Sequence, residues 1–242
     1  MKEFVIETRK LTKCYGEQTV VKEVDLHVRK GEIYGLLGRN GAGKTTLMKM
    51  LLGLTPETSG EVEVFGRKLR GQEKQIYSQI GAMIEAPGFY PNLTGTENLE
   101  IFARLRGLKR EQTVKRALAV VGLPYRDKKL FGNYSLGMKQ RLGIANAILH
   151  DPKLLILDEP MNGLDPIGIA EMRGFLVKLS REQGKTILIS SHILSEIELV
   201  ADRVGIMDHG ALLAQKNMKE LKKGEETLET YFRNVTGGVG IA

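Results

Sequence analysis

The octapeptide GRNGAGKT at residues 38–45 constrains this chain more than any other stretch. It fits the pattern G-x-x-x-x-G-K-[ST], which arises by chance in roughly one chain in a hundred of this length at average residue frequencies. Its flanks are those that a phosphate-binding loop needs. IYGLLG (33–38) is nearly all apolar, as in a buried central strand, and KTTLMKMLLGL (44–54) has the apolar positions of a helix packed on a sheet. Glycines let the turn bring backbone N–H groups against phosphate oxygens, and the following helix aims its positive end at the same anion. Gly38, Asn40, Gly41, Ala42, Gly43 and Thr46 therefore form the candidate cradle. Lys44 is expected to contact the β- and γ-phosphates of ATP, and the Thr45 hydroxyl to ligate Mg²⁺.

A phosphate loop calls for a carboxylate to hold the metal. LLILDEP (154–160) ends four apolar residues on Asp158, so a strand would deliver that side chain to the carboxyl edge of the sheet, where open α/β sheets bind ligands. Asp158 is the expected Mg²⁺ residue, and Glu159 the carboxylate that orients and deprotonates an attacking water. His192 closes another buried strand, KTILISS (185–191). A lone histidine there is commonly a satisfied core residue, but its place at the edge that carries Asp158 favours a γ-phosphate contact.

The middle of the chain differs in kind. Thr94 and Glu97 make a capping-box pattern ahead of ENLEIFARLRG, Arg110 to Val121 reads as a second helix, and Ser135 is a good N-cap for a third. Three helices without a strand signal between them predict a helical insert at about 88–150. Residues 24–28 alternate like one half-buried strand, 56–69 read as a hairpin and Ile80 to Ile84 as a buried strand. Pro166 begins a helix that runs to about Gly184, and the tail from Lys216 is polar with a frayed end at 237–240.

Composition limits the alternatives. With 42% hydrophobic and 27% charged residues this is an ordinary globular chain, and its apolar runs fall far short of the ~20 residues that cross a bilayer. The start, MKEFVIETRK, lacks a signal-peptide core, so a cytosolic protein is expected. A single cysteine, Cys14, excludes an internal disulfide and a cysteine metal cluster. The net charge of +7 is spread along the chain rather than gathered in dense blocks, and charge alone decides no partner.

The phosphate loop, YSLGMKQR (134–141), LILDEP (155–160), GLDP (163–166) and SSH (190–192) occur in the order found in the ATP-binding subunits of ABC transporters. The chain resembles that family from about residue 4 to its tail. The resemblance implies an α/β fold: a P-loop NTPase (RecA-like) sheet core with an N-terminal antiparallel β subdomain and the helical insert. It divides a single domain, 1–242, into a core (1–87 and 151–215), a helical signature subdomain (88–150) and a C-terminal tail (216–242). It also implies a head-to-tail pair of such subunits, the second being a copy of this chain or a homologue, with a separate transmembrane permease at the cytoplasmic face of the cell membrane. No direct nucleic-acid partner is expected, since the chain has neither the coiled-coil insert nor the tandem ATPase domains of the members that act on nucleic acid or ribosomes. Ser135 and Gly137 would bind the γ-phosphate of ATP held by the partner, Asp165 would lie in the loop at the subunit interface, and Tyr15 would stack on adenine.

Five positions depart from the family pattern. Tyr134, Leu136 and Met138 replace the common residues of the signature while its serine and second glycine are kept, and Arg39 stands where proline is usual. Glu85 is the departure with chemical weight, because the family places a glutamine there to touch Mg²⁺ and the attacking water. Glutamate at this point, followed by PGFYPNLTGTENL, is similar to the bacitracin- and lantibiotic-exporter ATPases, as is the tail LETYFRNVTGG (228–238) to related drug-exporter ATPases. This narrower resemblance implies ATP-driven export of a peptide antibiotic or another amphiphile.

Overall fold

A computed structural model describes residues 3–85 and 88–238. Along the chain β1 (Phe4–Tyr15), β2 (Gln18–Val24) and β3 (His27–Arg29) precede β4 (Ile33–Leu37), which leads through the glycine-rich loop into α1 (Lys44–Leu51). Next come β5 (Ser59–Val64), β6 (Arg67–Lys68), α2 (Glu73–Tyr77) and β7 (Ile80–Met83). The helical insert holds α3 (Gly95–Leu105), α4 (Arg110–Val120) and α5 (Leu136–Ile148). The chain returns with β8 (Leu154–Leu157), α6 (Pro166–Arg181), β9 (Thr186–Ser191), α7 (Leu194–Glu198), β10 (Arg203–Asp208) and β11 (Ala211–Asn217), then α8 (Met218–Lys223) and α9 (Leu228–Val235).

Two sheets result. One is antiparallel, in the order β2-β1-β5-β6 with β3 also paired to β1. The other runs β11-β10-β4-β9-β8-β7 and is parallel apart from the edge strand β11. Its central strands are buried and largely apolar because both faces are covered. Ile33, Leu37, Leu155, Leu157, Ile187 and Ile189 enter one core with the helical insert and α6. Tyr34, Leu36, Leu154, Ile156 and Leu188 alternate with them into a second core, with α1 and the antiparallel sheet.

The insert is joined to the sheet at a close approach. A Cβ on Gly81 of β7 would stand 2.1 Å from the Ala147 carbonyl oxygen of α5, so only glycine lets the helix lie this near the strand. The capping box at Thr94 forms as read: the Glu97 N–H donates to Thr94 Oγ1 at 3.2 Å and the Thr94 N–H to Glu97 at 2.7 Å.

One local expectation is corrected. Residues 24–28 are not one strand. Thr8 Oγ1 donates to the Val24 carbonyl and accepts from the Leu26 N–H, while the Asp25 carboxylate accepts from the Lys10 N–H. These side chains replace ladder bonds, and the backbone breaks between β2 and β3. The tail, expected only to be polar, forms α8 and α9, with Met218, Leu221, Leu228 and Phe232 buried among charged neighbours. The predicted frayed end overlaps residues 239–242, which lie outside the described residues, as does Pro87.

Candidate nucleotide site

Strand order assembles the site. β9 lies between β4 and β8, with Leu36 level with Ser190 and Leu157 level with Ile189. The loop that leaves β4 and the carboxylates that leave β8 thus flank the end of one strand, which supplies Ser190 and His192.

The loop closes on itself through its lysine. Lys44 is 5% exposed, and its Nζ donates to the Gly38 carbonyl at 2.6 Å and the Arg39 carbonyl at 3.1 Å. Gly43 has φ +99°, and a Cβ there would meet the Val20 carbonyl oxygen at 2.6 Å. A side chain is excluded by both backbone conformation and space. Gly210 ties the antiparallel sheet to the loop, accepting from the Lys22 N–H and donating to the Ala42 carbonyl. A cavity of about 200 Å³ opens over residues 39–46, with Val20 and Glu159 completing its wall.

The two carboxylates are held differently. Thr45 Oγ1 donates to Asp158 Oδ2 at 2.8 Å and Ser190 Oγ donates to Asp158 Oδ1 at 2.6 Å. The same Ser190 hydroxyl accepts the Glu159 N–H at 2.8 Å. Glu159 takes φ +47°, and its Oε2 accepts from His192 Nδ1 at 2.8 Å. Its Oε1 is buried, accepts no hydrogen bond, and lies 3.3 Å from Lys44 Nζ. Ser190 was not foreseen as a site residue; its one signal is a hydroxyl that follows the apolar run Ile187–Ile189 at the end of its strand.

Glu85 stands just beyond β7, at the same edge. Its Oε1 is 2.6 Å from Lys49 Nζ on α1. That bond holds the Lys49 proton more tightly than in an ordinary amine, and Tyr15 and Asp158 lie within electrostatic reach of the same ammonium. Tyr15 itself ends β1, is 51% exposed and has Lys13 Nζ 4.7 Å from its ring centroid.

Ser135, Gly137 and Asp165 are elsewhere. They line a separate surface cavity of about 590 Å³ that shares no residue with the one over the loop. Ser135 caps α5, accepting the Met138 N–H, and Asp165 caps α6, accepting the Gly168 N–H at 2.7 Å.

Comparisons with known proteins place the chain in a family. A sequence model of the ABC transporter family matches residues 21–162. The chain belongs to this family. It is 61% identical over 221 residues to the bacitracin transport ATP-binding protein BcrA of Enterococcus faecalis, covering 91% of this chain and 72% of that protein. It is 43% identical over 230 residues to the lantibiotic transport ATP-binding protein SrtF of Streptococcus pyogenes, covering 95% and 96%. Among solved structures, an ATP-binding subunit of an ABC transporter superposes with a TM-score of 0.83 at 30% identity, covering 96% of this chain and 99% of that one. The chain is thus an ABC ATPase with the fold of those cassettes, it binds ATP, and it serves transport.

Proposed function

We propose that this chain is the ATP-hydrolysing subunit of an exporter for a peptide antibiotic or a similar amphiphile. The proposal is supported by the identity to bacitracin and lantibiotic transport subunits, and the stretch around Glu85 resembles those exporter ATPases. Among the described residues no helix is long and apolar enough to cross a membrane. In this reading a transmembrane permease supplies the path and holds this subunit at the membrane's cytoplasmic face.

The observation that carries the catalytic roles is the pair of hydrogen-bonded carboxylates. Thr45 and Asp158 offer a hydroxyl and a carboxylate oxygen, a donor set suited to Mg²⁺. Among the described residues no group of three or more His, Cys, Asp or Glu forms a metal cage. Such a cage is not needed, since Mg²⁺ commonly takes one or two protein ligands and completes its shell with phosphates and water. The ion would supply charge neutralisation on the phosphates, with Glu85 beside it.

Glu159 acts as the base. Its unbonded Oε1 accepts the proton of a water whose oxygen forms a bond to the γ-phosphorus as the bond to the β–γ bridging oxygen breaks. His192 orients the carboxylate through Oε2 and faces the γ-phosphate. Lys44 exchanges its loop carbonyls for β- and γ-phosphate oxygens, and the backbone of Gly38, Asn40, Gly41, Ala42, Gly43 and Thr46 cradles them. Tyr15 stacks on the adenine.

The separate cavity at Ser135, Gly137 and Asp165 supports a dimer, because those residues reach a nucleotide only if it is bound by a second subunit. The test is Glu159→Gln. We expect ATP binding to persist while turnover falls roughly 10²- to 10⁴-fold, the range for loss of a positioned base. In a susceptible strain carrying this chain with its permease, protection against bacitracin should vanish with the same variant. Unchanged turnover would remove Glu159 from the mechanism, and wild-type susceptibility with the intact chain would remove the antibiotic.

A further inference from the structure

Helix α1 presents two lysines to two glutamates. Lys44 lies 3.3 Å from Glu159 Oε1, and Lys49, one turn beyond Thr45, lies 2.6 Å from Glu85 Oε1. The sheet makes the arrangement regular. Met83 and Leu157 are register partners across β7 and β8, and each glutamate stands two residues past its strand's partner. Both leave the sheet through a left-handed backbone, Glu85 at φ +61° and Glu159 at φ +47°. Non-glycine residues pay roughly 1–2 kcal/mol for that conformation, so each turn needs something to hold it. For Glu159 it is Ser190, Lys44 and His192. For Glu85 it is the hydrogen bond donated by Lys49 Nζ.

An exposed ion pair would ordinarily be given little weight. This one differs by position. Its acid lies on the strand next to Asp158, whose N–H donates to the Met83 carbonyl at 2.8 Å, and its base lies on the helix that carries Thr45. The Glu85 side chain is 64% exposed and the Lys49 side chain 34%, so the acid is open to what binds nearby while the base is partly shielded. Lys49 is not placed to touch phosphate: four residues carry it about 6 Å down the helix axis from Thr45, and its ammonium is turned to Glu85.

We infer that Lys49 is a positioning residue of the nucleotide site: its ammonium neutralises Glu85 and holds that carboxylate at the end of β7, so the site carries an acid there without repelling Mg²⁺·ATP. The inference rests on the proposed place of Glu85 beside the nucleotide. It explains how this chain accommodates a negative charge at a position where its family has an amide.

The experiment is a double-mutant cycle on binding, using the full chain at low salt with Mg²⁺ and a fluorescent ATP analogue. Lys49→Met should weaken binding roughly three- to tenfold, as expected for one unscreened charge several ångströms from a polyanion, and the loss should shrink as salt is added. Lys49→Arg should restore most of the affinity. In the Glu85→Gln background, Lys49→Met should change affinity by less than about twofold, since no carboxylate remains to neutralise. An equal loss in both backgrounds would overturn the inference, because Lys49 would then act on the nucleotide or the fold directly. Wild-type affinity in Lys49→Met would overturn it as well. Failure of the Glu85 reading has a different signature: Glu85→Gln with wild-type Mg²⁺ dependence and wild-type coupling of hydrolysis to transport.

Discussion

At the scale of single residues, neighbouring side chains of like chemistry are given different work by what surrounds them. Asp158 has each of its oxygens engaged by a hydroxyl, whereas Glu159 keeps one oxygen unbonded, so the first suits a metal and the second a proton. His150 shows the same logic outside the site. Its Nε2 donates to the Ile80 carbonyl at 2.9 Å, and its Nδ1 is buried without a partner. Burial holds its pKa below the ordinary value of 6.5, and Arg106 and Lys185 push the same way against the opposing Asp151. The unfolded chain therefore binds this proton more readily than the folded one. The associated stability is present above pH 6.5 and is lost as pH falls through the depressed folded value. Urea unfolding of His150→Gln, whose amide can still reach Ile80, should show a flatter dependence on pH below 6.5 than the parent; parallel curves would assign the acid sensitivity elsewhere.

At the scale of elements, α3 and α5 of the insert are each started by a side-chain cap that the sequence names, Thr94 and Ser135. The capping box at Thr94 satisfies two backbone donors at the start of α3 and keeps the Glu97 carboxyl below its usual range, first through the backbone bond from Thr94. Thr94→Ala should cost about 1 kcal/mol of unfolding free energy, and Thr94→Ser much less. A shift of the urea midpoint without a change in slope is the measurement that checks it. These motifs were legible because a cap and its helix are contiguous. The break between β2 and β3 was not, because it is made by Thr8 and Lys10, fifteen or more residues from Asp25 and Leu26. The buried face of α8 was hidden for a related reason: two apolar residues, set among lysines and a glutamate, give a weak periodic signal until something packs on them. The stripe of α9, Leu228, Tyr231, Phe232 and Val235, is spaced as one helical face and was open to reading.

At the scale of the molecule, the loop cavity and the Ser135 cavity share no residue, and the exposed Leu136 and Ile167 lie on the rim of the latter. In the proposed dimer a second subunit would bring the two together. If hydrolysis is the step that reopens such a pair, a subunit that binds ATP without hydrolysing it stays paired. Glu159→Gln should therefore become dimeric on adding Mg²⁺·ATP, doubling its mass by light scattering, while the parent returns to its starting state as ATP is consumed. A Glu159→Gln chain that remains monomeric with saturating ATP would argue against the paired site.

The phosphate loop, the carboxylate pair and the signature could be read from the sequence alone because each is a contiguous run whose chemistry is written in its own residue types. The family followed from their order. Tertiary structure decided what depends on residues far apart in the chain. It placed β9 between β4 and β8, so that Ser190 joins Asp158 to the backbone of Glu159. It set Ser135 and Asp165 apart from Lys44, and it gave Glu85 the cation of Lys49. Strand order and register are settled by which apolar faces are covered together, a property of the whole core that no short stretch of sequence contains.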